Sequence, residues 1–233
     1  VAMARALVNT PSVLLLDEPL SALDERLRKR MQVELKRIQR EIGITFVLVT
    51  HDQEEALTLS DRIAVMNKGR FEQVGTPAEI YEHPRTRFVT EFVGDSNVFA
   101  GNAGEVRDGL LDVAVDFLGT LRVPLEGAPP PGGEVEFFVR PEKLRLSDSA
   151  PDDDETGVRG VLRTIIYQGP VTRYDVEMED QKRVIVSVMN LDAPTRFVPG
   201  ERLWVRWQPT SGRLLEPRSG RNGAPSPSDT NTR

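Results

Sequence analysis

The sequence predicts an α/β unit with a mostly parallel sheet, followed by a small antiparallel β-barrel and a disordered tail. Three observations predict it. Up to about Gly94, short apolar runs alternate with amphipathic segments, the alternation that builds βα units. Beyond Gly94 helical periodicity disappears, and short β-type runs follow one another between Gly, Pro and Asp clusters, as in small closed sheets. From about Arg218 the chain is Ser, Pro, Gly, Asn and Thr with almost no apolar residue, too little burial to offset the entropy of ordering. The expected divisions are 1–95, 96–216 and 217–233.

Val1–Leu7 reads as a helix already under way, with no cap and no initiating methionine, so an N-terminal truncation is expected. Val13–Leu16 (VLLL) is wholly apolar, as a parallel strand covered on both faces would be. Glu25–Ile42 carries Leu27, Met31, Leu35, Ile38 and Ile42 three or four residues apart, giving one apolar helical face, and Gly43 follows as a C-cap. Ile44–Val49 is a second buried-type strand, Asp52–Leu59 a helix and Arg62–Met66 a third strand. Asn67–Arg70 turns into Phe71–Val74. Thr76-Pro77-Ala78-Glu79 is a capping box with Pro at the first helical position, and Thr86–Val93 is one more short helix. The β-type runs beyond are Leu110–Phe117, Leu121–Val123, Val135–Val139, Val158–Ile166, Arg173–Glu177, Val184–Val188 and Leu203–Trp207.

Composition narrows the function. The 233 residues carry a formal net charge of −6, with basic residues scattered among acids, which argues against nucleic acid as a partner. There is no cysteine, hence no disulfide framework and no thiolate metal site. No stretch approaches the roughly 18–20 consecutive apolar residues of a spanning helix, so any membrane contact is expected to be peripheral.

The chemistry-bearing residues sit where strands end. Leu14-Leu15-Leu16-Asp17-Glu18-Pro19 runs directly into Leu20-Ser21-Ala22-Leu23-Asp24. An apolar strand closing on two acids puts carboxylates at the C-terminal edge of a parallel sheet, where such sheets bind ligands. Asp17 suits Mg2+, which takes one or two carboxylates and keeps several waters. Glu18 suits a base that accepts a proton from attacking water or holds that water in line. Thr50-His51-Asp52 closes the next strand, so His51 is expected beside Glu18, placed to contact a phosphate. The blander readings are an ordinary acidic turn and a surface histidine; two such strand ends side by side weigh against both.

Together these residues closely resemble the ABC transporter ATPases. The resemblance runs from Val1 to about Phe92. In that family LLLDEP is the Walker B strand, SALD the D-loop and the strand-end His the switch histidine, while Val1–Leu7 is similar to the helix that follows the signature motif. It implies ATP and Mg2+ as cofactors, Asp17 as metal-binding, Glu18 as general base and His51 as γ-phosphate sensor. Ser21 and Asp24 would couple two nucleotide sites across a dimer. It further implies a homodimer or paired ATPase subunit, membrane permease subunits, an external solute-binding protein, and a location on the cytoplasmic face of the plasma membrane. Two motifs of the family are missing: no G-x-x-x-x-G-K-[ST] occurs, and the only Gly-Gly pair, Gly132-Gly133, lies in a Pro-rich loop. The backbone cradle and lysine that hold ATP phosphates are therefore not in these residues.

Downstream, Val139-Arg140-Pro141-Glu142-Lys143, Tyr167-Gln168-Gly169 and Thr172-Arg173-Tyr174 resemble the TOBE domain, an OB-like barrel attached to importer ATPases. The Thr-Arg-Tyr pattern is most similar to polyamine-type importers and their relatives for iron, phosphonates and other organic solutes. Arg140, Glu142, Arg173 and Tyr174 are read as structural, as turn-fixing ion pairs and a packed ring. Of Trp204 and Trp207, three apart on one strand, one is expected in the core. Asp152–Glu155 is read as a solvated acidic loop. The alternative to a motor subunit is a non-catalytic regulatory or dimerisation module. The 233-residue chain by itself is expected to hydrolyse no ATP: a phosphate-release assay should give background rates, and saturable turnover lost on Glu18→Gln would contradict this.

Overall fold

The computed structural model describes residues 11–125, 133–191 and 197–216. The expected helix at 1–7, most of the Pro-rich loop and the tail beyond Glu216 lie outside these residues.

The α/β part runs β1 (Val13–Asp17), α1 (Glu25–Ile42), β2 (Thr45–Val49), α2 (Gln53–Leu59), β3 (Ile63–Asn67), β4 (Arg70–Gly75), α3 (Pro77–Glu82) and α4 (Arg87–Phe92). β1 and β2 pair in parallel, from Val13 opposite Thr45 to Asp17 opposite Val49. The expected third parallel strand takes another course. β3 folds back antiparallel on β4, because Lys68 and Gly69 both take positive φ (48° and 77°), the two-residue geometry that closes a tight hairpin. Among the described residues, cover on both faces of β1 is also not found. Leu14 is buried, whereas Val13, Leu15, Val47 and Val49 are exposed. α1 is capped as expected, with Leu27 N–H donating to the Asp24 carboxylate and Gly43 in the left-handed region. Only the centre of its apolar stripe is covered: Leu35 is buried, while Leu27 and Ile42 are exposed. A small core of Ile63, Val65, Ile80, Val89 and Val93 joins the β3–β4 hairpin to α3 and α4.

Beyond residue 96 every strand is antiparallel. In chain order these are β5 (Asn97–Arg107), β6 (Leu110–Val115), β7 (Gly119–Pro124), β8 (Glu134–Val139), β9 (Arg145–Ser147), β10 (Thr156–Tyr167), β11 (Val171–Met178), β12 (Arg183–Met189), β13 (Arg202–Trp207) and β14 (Gly212–Leu214). They form two five-stranded sheets, ordered β14-β8-β5-β6-β7 and β12-β11-β10-β13-β9, which enclose one core. At its centre the Phe99 ring stacks on Phe137 at 5.2 Å and on Trp207 at 5.7 Å between centroids, worth roughly 0.5–1.5 kcal/mol per pair beyond burial. Trp207 is the buried tryptophan; Trp204 is half-buried.

β5 is absent from the expected strands. Its sequence, NVFAGNAGEVR, is poor in β-branched residues, and its glycines serve close approach. A Cβ on Gly101 would sit 2.4 Å from the Ala114 carbonyl oxygen of the neighbouring strand. Asn97, at its start, stitches the sheets together. Its amide N–H donates to the carbonyls of Val139 (3.3 Å) and Ile185 (2.8 Å), and its oxygen accepts from Ile185 N–H at 2.7 Å. Ile185 belongs to the edge strand of the other sheet, so one amide satisfies both its N–H and its carbonyl across the seam.

The acidic loop is not wholly solvated. Glu155 is buried and its carboxylate accepts from Arg206, with Arg145 also paired to it; Asp152 meets the same Arg206. A buried guanidinium needs such partners, and this one draws the end of the loop inward.

Arg140 fastens the barrel to the helices. Buried at 2% exposure, its guanidinium donates to the carbonyls of Thr90, Gly94, Asp95 and Tyr81 and to the Ser96 hydroxyl. The acceptors are carbonyls rather than the expected carboxylates, because they are the uncapped ends of α3 and α4 and the link that follows. The guanidinium carbon also lies 4.2 Å from the Tyr81 ring centroid, a cation–π contact. Tyr81 in turn donates its hydroxyl to Glu142 at 2.9 Å.

Burial, with the Glu142 carboxylate beside it, raises the Tyr81 pKa to about 12. A phenol raised in the folded state contributes stability that is complete below its unfolded value of about 10 and is lost as pH rises through the folded value. An alkaline absorbance titration should therefore show one tyrosine ionising near pH 12, and Tyr81→Phe should remove that component. Persistence of the component in the variant would contradict the assignment.

Candidate functional site

The parallel register of β1 and β2 brings both strand ends to one edge. Glu18 extends the ladder by one bond, donating its N–H to Val49 O at 2.8 Å. It then takes φ 44°, an uncommon conformation for a non-glycine residue, which turns the chain sharply away from the sheet. His51 follows β2, and its Nδ1 lies 2.9 Å from Glu18 Oε1. The two side chains are solvent-facing, 74% and 48% exposed, so water reaches both.

Asp17, exposed at the end of β1, has no side-chain hydrogen bond or ion pair among the described residues. Ser21 and Asp24 are engaged locally. The Ser21 hydroxyl donates to Glu18 O at 2.9 Å, and Asp24 Oδ1 accepts from Leu27 N–H at 2.9 Å as the N-cap of α1. The structure thus brings Glu18 and His51 into contact, leaves Asp17 unengaged beside them and ties Ser21 back to Glu18.

Two further residues shape this edge. Asp52 caps α2, its Oδ1 accepting from Glu55 N–H at 3.1 Å, while its own N–H donates to Thr50 Oγ1 at 3.0 Å. Arg28 on α1 donates to Asp52 Oδ2 and to Leu23 O, each at 3.0 Å. Sequence reading passed over Arg28 because a lone arginine on a helix of mixed charge carries no local signal; only the folded position of the strand ends gives it partners.

A TOBE-domain profile matches residues 137–215, the stretch from β8 to the end of β14. Over 218 residues, 92% of its length, the chain is 52% identical to the spermidine/putrescine import ATP-binding protein PotA of Thermobifida fusca. It is 51% identical to the protein of the same name from Acidothermus cellulolyticus over a similar span. Over nearly all of its length the chain is similar to ABC transporter ATP-binding subunits, and residues 137–215 match the TOBE domain. The chain spans about half the length of these relatives, 56% of each. A relative named uncharacterized ABC transporter ATP-binding protein YdcT, from Escherichia coli, is 42% identical over 210 residues, so the resemblance extends beyond proteins named for spermidine and putrescine. The fold follows the same division, the α/β part being a portion of the ABC ATPase domain and the antiparallel part the OB-like barrel.

Asp24 makes the contact expected of an N-cap, and removing a cap costs about 1 kcal/mol. Asp24→Ala should lower stability in urea by about that amount. Glu18→Gln, which touches only an exposed partner, should stay within about 0.5 kcal/mol of the parent. Equal losses in the two variants would contradict this division of roles.

Proposed function

We propose that the chain is part of the energy-coupling subunit of an ABC importer, which hydrolyses ATP to drive uptake of polyamines. One observation carries the catalytic half of this reading, the Glu18–His51 contact of 2.9 Å at the C-terminal edge of two parallel strands. Sequence likeness to spermidine/putrescine import ATP-binding proteins supports the choice of solute.

In this reading Glu18 takes the proton from an attacking water. The Nδ1 contact holds the His51 ring so that an N–H at Nε2 would donate to a γ-phosphate oxygen. Asp17 fits a Mg2+ site: the ion takes one or two carboxylates and completes its shell with water and phosphate oxygens, and this carboxylate is exposed and unengaged. When bound, Mg2+ would neutralise charge developing on the phosphate. The left-handed turn at Glu18 carries the chain out of the ladder, and its carboxylate meets His51. Ser21 and Asp24, in the loop after Glu18, would meet a paired copy. The remaining partners are membrane permease subunits and, through them, an external solute-binding protein. No helix among the described residues is long and apolar enough to cross a membrane, and the subunit is placed on the cytoplasmic face of the membrane through those permeases. The proposed divisions are an ATPase part at 1–95 and a barrel at 96–216.

The residues present supply the hydrolytic edge of an ATP site, and the phosphate-cradling motif is not among the 233, so the test uses the full-length subunit. Glu18→Gln should lower kcat by about 100-fold or more, as loss of a general base does, while ATP binding followed by a fluorescent analogue stays within about threefold. Turnover of Glu18→Gln close to that of the parent would overturn the assignment.

A further inference from the structure

We infer that Arg28 is a positioning residue for ATP hydrolysis, a brace that fixes the loop bearing Ser21 and the loop bearing His51 at one mutual distance. The inference rests on the function proposed above.

The geometry is a fork. Arg28 lies one turn into α1, its backbone N–H bonded to Asp24 O at 2.8 Å. Its Nη2 donates to Leu23 O and its Nη1 to Asp52 Oδ2, both at 3.0 Å. Leu23 belongs to the 20–24 loop, which is tied to Glu18 because Ser21 donates both its N–H (3.3 Å) and its hydroxyl (2.9 Å) to Glu18 O. Asp52 is the residue after His51, and its second carboxylate oxygen caps α2. One side chain therefore grips, through the Leu23 carbonyl and the Asp52 carboxylate, the two loops that adjoin the Glu18–His51 contact.

The pair is only partly open to water, Arg28 at 31% and Asp52 at 27% side-chain exposure, and Arg28 Nε is buried without a hydrogen-bond partner. A planar guanidinium holds two acceptors at fixed separation, whereas an ammonium on a flexible stem reaches one at a time. Docking of α1 on α2 does not itself require this fork. Lys36 Nζ donates to Leu59 O at 2.7 Å and to Asp61 at 2.9 Å, and Lys29 Nζ lies 3.8 Å from Glu54. What Arg28 adds is the link between the two loops at the strand edge.

This separates a positioning role from a stabilising one. In the full-length subunit, Arg28→Met should lower kcat about tenfold and leave the KM for ATP within about twofold, the pattern of a lost transition-state arrangement. Arg28→Lys should recover less than half of the loss, because charge returns without the fork. Lys36→Met, which loosens the helices and touches neither loop, should lower the melting temperature with kcat kept. Amide exchange in Arg28→Met should accelerate in both the 20–24 and the 50–55 segments. Unchanged kcat in Arg28→Met, full rescue by lysine, an equal fall in kcat for Lys36→Met, or acceleration in one segment alone would overturn the inference and leave the proposed function standing. A parent subunit without turnover would overturn both.

Discussion

Everything beyond residue 96 is oriented by one buried cation. Arg140 is placed by the end of β8, and its hydrogen bonds run to oxygens of α3, α4 and the link behind them. A guanidinium in an apolar setting is costly unless its donors are answered, and helix C-termini offer unanswered carbonyls. Each side thus resolves the other's deficit. The stacking of Tyr81 and Phe138 on its plane keeps water from replacing those carbonyls. The barrel's relation to the helices is consequently fixed by many bonds through this side chain, with Tyr81–Glu142, Arg87–Glu136 and Arg173–Asp95 beside it.

The strand edge obeys a different economy. There the bonds are few and the groups exposed, with Glu18 held by one ladder hydrogen bond and a left-handed turn and His51 held by its neighbours Thr50 and Asp52. Exposure leaves this edge open to water, and precision there rests on the backbone beneath. The parallel register is what converts two motifs 33 residues apart into one pair, since each strand step is matched from Val13–Thr45 to Asp17–Val49.

Much of this was legible in the residues. VLLL and ITFVLV announced the parallel pair, and the acids and histidine at their ends announced the edge. The Thr76–Glu79 box formed as its spacing demanded. What sequence could not give was long-range and backbone-borne. β5 escaped because its glycines answer a neighbouring carbonyl rather than a propensity, and β3 left the parallel arrangement because a two-residue turn made its nearest neighbour the next strand. Glu155 looked like its three acidic neighbours until the fold set Arg206 and Arg145 against it. Arg28 and Asn97 were invisible for the same reason, since their partners lie 24 and 88 residues away.

The Asn97 seam has a mechanical meaning. Where a closing strand would spread the load over a ladder, a single amide concentrates it, so the barrel is a band fastened by a clasp. Strain arriving through the link from α4 reaches Asn97 within a few residues, ahead of either sheet. Load on the seam falls first on this clasp, and beyond it on Arg122, which donates from β7 to the Asp153 and Glu155 carbonyls just before β10.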